Sequence, residues 1–89
     1  MTITKTTCAG SSSKGDSLVT ISPENENKLT VKITTKPIIL KQFGKHIEKT
    51  VLKAARDEGV GSALIEVADN GALDYVIRAR VRGAILRAR

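Results

Sequence analysis

Two alternating runs in residues 18–33 constrain the fold more than any other feature of the chain. Leu18, Val19 and Ile21, then Leu29, Val31 and Ile33, are interleaved with Thr20, Ser22, Thr30, Lys32 and Thr34. A period of two sends successive side chains to opposite faces, so each run predicts a half-buried strand. Pro23-Glu24-Asn25-Glu26-Asn27 between them is turn chemistry, which predicts an antiparallel hairpin. After Pro37 the period changes. Leu40, Phe43, Ile47, Val51 and Ala54 recur at steps of three and four, the mark of one apolar stripe on a helix. Gly59 stands where such a helix would stop in the left-handed conformation. Residues 63–68 (ALIEVA) then read as a short, largely buried strand.

The two ends are less sharply patterned. The first fifteen residues are rich in Thr, Ser and Gly and predict one short strand followed by an exposed loop. Asn70-Gly71 leaves residues 72–82 with two readings. They form a second hairpin strand if Leu73, Tyr75, Ile77, Ala79 and Val81 alternate across a sheet. They form a helix if Leu73, Ile77, Val81, Ala84 and Ala88 make one stripe. The lack of a breaker before Gly83 and the Ala, Leu and Arg content favour the helix. The expected class is α+β, in the order β-β-β-α-β-α, with two helices covering a small antiparallel sheet.

With 89 residues, a chain buries only roughly 60–65% of its unfolded surface, which leaves a thin core. A deep, water-excluding catalytic cleft is hard to build at that size, so a binding or carrier module is the better expectation. The formal charge is +6, which suits an acidic partner such as nucleic acid, a membrane surface, a phosphate-bearing cofactor or an acidic protein face. Cys8 is the single cysteine and forms no internal disulfide; it is expected to pack as a small apolar residue. No run approaches the ~18 apolar residues of a membrane span, and no apolar signal core opens the chain, so a cytoplasmic location is expected.

Three motifs invite chemistry and fail to complete it. Gly15-Asp16-Ser17-Leu18 resembles the block around a hydrolase serine, but the lone histidine, His46, lies within the predicted first helix. A nucleophilic serine without a base is weak. His46 has no second histidine or acidic cluster at ligand spacing, so no metal site is expected. At about 100° per residue, Arg78, Arg82 and Arg89 share one face of a helix and Arg80 and Arg87 the opposite face. Arginines on a helix suit RNA phosphates. The only aromatics, Phe43 and Tyr75, make no stacking platform for single strands, which argues against nucleic acid. A small basic RNA-binding protein remains the reading from a different class.

Four segments, taken in order, resemble the acyl carrier (gamma) subunit of citrate lyase. They are Ala9-Gly10 followed by Gly15-Asp16 and a strand; Lys41-Gln42-Phe43-Gly44; Asp69-Asn70-Gly71-Ala72-Leu73-Asp74; and Ile77-Arg78-Ala79-Arg80-Val81. The resemblance spans nearly the whole chain, although family chains run slightly longer at the carboxyl end than Arg89. It implies one acyl-carrier-like domain over residues 1–89, non-catalytic alone, with residues 9–17 as a mobile attachment loop. It further implies a serine-linked phosphoribosyl-dephospho-coenzyme A arm, joined by a phosphodiester and installed by a dedicated transferase. That arm presents acetyl and citryl thioesters to the alpha and beta subunits of the lyase, within a hetero-oligomer. A malonate-decarboxylase-type carrier with the same group is the close rival.

The resemblance breaks at the attachment point. The family pattern reads Ala-Gly-x-x-Glu-Ser-Ser/Gly-Asp; counted back without a gap from Asp16, Lys14 takes the serine position and Ser13 the glutamate position. An ammonium with a pKa near ~10 cannot replace a hydroxyl in a phosphodiester. Ser13, one residue away, is the first choice for attachment, and Ser17 the second.

Overall fold

The computed structural model describes residues 2–89 and contains β1 (Thr7–Gly10), β2 (Asp16–Ser22), β3 (Leu29–Thr34), α1 (Pro37–Asp57), β4 (Ala63–Asn70) and α2 (Asp74–Arg87). The α+β class and the β-β-β-α-β-α order are those expected. Residues 74–87 are helical, with Ile77, Val81, Ala84 and Ile85 buried. The helix reading of residues 72–82 therefore holds over the strand reading.

The pairing of the strands differs from the expected hairpin. The sheet runs β1-β2-β4-β3, with β4 inserted between β2 and β3. β2 pairs with β4 antiparallel, while β3 pairs with β4 in parallel, so the sheet is mixed. The cause lies in the connection. A tight hairpin turn would hold β2 and β3 adjacent, but residues 23–28 span the roughly 10 Å of two strand spacings. The Ser62 hydroxyl fastens that connection across the start of β4 by donating to the carbonyls of Glu24 (3.3 Å) and Glu26 (2.8 Å). β3, α1 and β4 thus form a crossover unit, with the most apolar strand in the middle of the sheet.

Val19, Ile21, Ala63, Ile65 and Val67 are buried on one face of the sheet beneath both helices. α2 lies over β1 and β2, and α1 packs against β3 and α2. α1 opens on Pro37, whose missing N–H costs nothing in the first turn. It closes at Gly59 (φ 78°), with the Gly59 amide bonded to the Arg56 carbonyl and the Val60 amide to that of Ala55. That pattern satisfies the last carbonyls and buries Val60 against the core.

Two expectations about the core are corrected. The apolar stripe of α1 is buried at Ile47, Val51, Ala54 and Ala55, but Leu40 and Phe43 are exposed. The first turns of α1 border an open groove rather than sheet. Cys8 is exposed instead of packed. Ala9 beside it faces the helices, so alternation sends Cys8 to the open face of the sheet.

Candidate functional site

Of residues 9–17, only 11–15 lie outside the strands, forming the connection between β1 and β2. β1 and β2 register Gly10 opposite Leu18, which sets the loop at the end of the sheet beside the end of β4. Gly10 has φ 99°, and a Cβ there would overlap the carbonyl oxygen of Ser17. Glycine therefore lets the chain turn closely over β2.

Asp16 anchors the loop from below. Arg80 on α2 donates from Nε to Oδ1 at 2.9 Å and from Nη2 to Oδ2 at 3.1 Å. The Ser11 hydroxyl donates to Oδ2 (2.8 Å), and the Ser17 amide to Oδ1 (2.7 Å). The Arg80 guanidinium, then these two lesser donors, hold the Asp16 carboxyl down at about 2. β4 anchors the other side. The Gly15 amide donates to the Asn70 carbonyl (2.7 Å), and Asn70 Nδ2 donates to the Ser12 carbonyl (2.9 Å). The Asp16 amide closes a turn onto the Ser13 carbonyl at 3.0 Å. The backbone is held at both ends, while the side chains of Ser12, Ser13 and Lys14 project into solvent.

The two serines singled out from the sequence occupy opposite environments. Ser13 is exposed at the loop tip, beside Lys14. Ser17 is 0% exposed, and its hydroxyl is buried with no hydrogen-bond partner among the described residues. Asp16, Arg80 and Asn70, which hold the loop, were not singled out as site residues. A separation of 64 residues divides Asp16 from Arg80, and no local pattern joins them.

Most arginines of α2 lie at the surface, yet several are tied to neighbouring groups there. Arg87 Nη1 donates to the Cys8 carbonyl (2.8 Å), and Arg82 and Arg89 lie 3.0 and 3.6 Å from the Glu58 carboxylate. With Arg80 on Asp16, these ties fasten α2 to both the β1–β2 end and the end of α1. His46 lies exposed on α1 with Nε2 2.6 Å from Asp74 Oδ2, which bridges the helices. No group of three potential metal ligands occurs among the described residues. Among them, too, no helix is long and apolar enough to cross a membrane.

Known proteins share both the sequence and the fold. A family model described as the malonate decarboxylase delta subunit matches residues 4–88. A citrate lyase acyl carrier protein from Pectobacterium atrosepticum is 44% identical over 88 residues, covering 99% of this chain and 88% of its own. One from Halothermothrix orenii is 38% identical over 88 residues, covering 99% and 90%. Another, from Fusobacterium nucleatum, is 36% identical over 80 residues, covering 90% and 83%. Among solved structures, a chain of a Pseudomonas malonate decarboxylase hetero-tetramer in complex with malonate superposes with a TM-score of 0.69. The match covers 100% of this chain and 89% of the other at 17% identity, a likeness of fold. By near-full-length identity to these relatives, the chain belongs to the citrate lyase acyl carrier protein family.

Proposed function

We propose that this chain is the acyl carrier subunit of a citrate-lyase-type complex, with Ser13 as the residue that bears a phosphoribosyl-dephospho-coenzyme A group. One observation carries the choice of residue: Ser13 is exposed at the tip of an anchored loop, whereas Ser17 is wholly buried. A bulky phosphodiester at Ser17 would require β2 to leave the sheet. The tip fits such a group, since the Ser13 side chain is exposed and Lys14 sets a cation beside it.

When attached, the group supplies a terminal thiol on which an acyl chain is held as a transferable thioester. This chain's own residues present and position it. Asp16, Arg80 and Asn70 fix the base of the loop, so the direction in which Ser13 points is set by the sheet and α2. The Lys14 ammonium offsets the negative charge of a neighbouring phosphodiester. A long arm on a fixed base confines its end near partner active sites at high effective concentration. The proposed partners are the alpha and beta subunits of the lyase and the transferase that installs the group, within a cytoplasmic hetero-oligomer. The description of the family model also admits a malonate-decarboxylase-type carrier, while the names of the relatives favour citrate lyase.

Intact mass and peptide mapping of protein produced with the transferase test the assignment. The expected result is one added arm, mapped to Ser13 and absent from Ser13→Ala. Adding Lys14→Ser to that variant is expected to restore loading, because it recreates the family's serine position. Loading of Ser13→Ala alone would overturn the choice of Ser13, and a wild-type chain that never gains the mass would overturn the carrier reading.

A further inference from the structure

The loop tip opens onto a continuous depression. A recess of about 180 Å³ beside Lys14 is bordered by Lys36, Ile39, Asp69 and Gly71. It shares Ile39, Asp69 and Gly71 with a larger groove of about 720 Å³ between the first turns of α1 and α2. That volume lies within the roughly 300–1,000 Å³ of small-molecule sites. Both aromatic residues of the chain line the groove, and both are exposed: Phe43 at 50% and Tyr75 at 63%.

The charges around the groove are asymmetric. Its two carboxylates are occupied: Asp69 accepts from the Gly71 and Ala72 amides, and Asp74 holds His46. Lys14, Lys36 and Arg78 line the recess and groove, and they form no ion pair among the described residues. Aromatic walls with unpaired cations alongside are complementary to a nucleotide: a flat base with a π face, joined to phosphates.

We propose that this groove is a docking site for the nucleotide half of the chain's own arm. The adenine lies against Phe43 and Tyr75, and the phosphates lie among Lys14, Lys36 and Arg78. The inference rests on the carrier reading above, because the occupant is the attached group. A tethered ligand needs little affinity to occupy such a site, since the linkage already concentrates it there. Docking the nucleotide leaves the thiol end of the arm as the moving part.

Tyr75 provides a direct readout, because the chain holds one tyrosine and no tryptophan. Intact mass first establishes that the arm is attached. Loaded protein is then expected to lose Tyr75 emission relative to unloaded protein, through stacking of the adenine. Amide resonances of Phe43, Gly71, Leu73 and Arg78 are expected to shift in the same comparison. Phe43→Ser and Arg78→Glu, both at exposed positions, should restore the emission in protein that is still fully loaded. Loaded wild-type protein with full emission and unmoved resonances would overturn the docking site and leave the carrier reading intact. Resonances that move only on addition of lyase subunits would show a protein interface, also overturning the docking site. No mass gain would overturn the carrier reading and this inference with it.

Discussion

Arg80 on α2 holds Asp16 at the start of β2 through two parallel hydrogen bonds, of 2.9 and 3.1 Å, across 64 residues of chain. The pair ties the attachment loop to the last helix, and its effect should be visible in acid. The folded Asp16 carboxyl titrates at about 2, against ~3.9 for an unfolded aspartate. A depressed folded value contributes stability that is fully present above the unfolded value. That contribution is lost as the pH falls through the folded one. Wild-type protein should therefore exceed Asp16→Asn in melting temperature at pH 6, with the gap narrowing steadily between about pH 4 and 2. Thermal melts followed by circular dichroism at stepped pH measure this, and a gap that stays constant across that window would contradict it.

Gly10→Ala should be among the most damaging small substitutions in the chain. The added methyl meets the Ser17 carbonyl oxygen, comes 3.0 Å from Arg80 Cδ, and sits on a backbone with φ 99°. Strain and overlap together should cost about 3 kcal/mol or more. A fall in the urea midpoint reports the loss, and a midpoint within error of wild type would refute it.

Ser17→Ala should act in the opposite direction. The Ser17 hydroxyl is buried without a partner among the described residues, so its removal relieves an uncompensated desolvation and should be neutral or stabilising by about 1 kcal/mol. The same variant should accept the arm as wild type does, which intact mass can establish. Loss of loading with the fold intact would redirect the attachment to Ser17.

The two halves of the α1 stripe should respond differently to truncation. Val51 is wholly buried, and Val51→Ala should cost about 2–3 kcal/mol. Phe43 is half exposed, and Phe43→Ser should change stability by no more than about 0.5 kcal/mol. Equal losses in chemical denaturation would mean that the groove is closed in solution.

Element order was legible because each period is local. Pro37 and Gly59 delimit α1 in the sequence much as they do in the structure, and ALIEVA becomes the core of β4. Strand order was not legible. β2 and β3 bury the same alternate residues whether they touch each other or flank a third strand, so the alternating pattern is silent on which neighbour each one has. Cys8 escaped for a related reason: the short β1 alternates too weakly to show which side faces the helices. At the candidate site, the exposed serine loop was evident from its composition. Its fasteners were not, because Asp16–Arg80 and Ser12–Asn70 join residues brought together only when the sheet and α2 assemble.

The central place of β4 has a consequence for biosynthesis. β4 is the last strand to be made, yet β2 and β3 both depend on it for their inner hydrogen bonds. While a ribosome is still translating residues 63–70, β2 has only the short β1 beside it, and β3 has no strand partner at all. The non-local closures that complete the sheet must wait for the carboxyl-terminal third. A nascent chain halted before Asn70 should therefore remain sensitive to protease, and resistance should arise abruptly once β4 and α2 have cleared the exit tunnel.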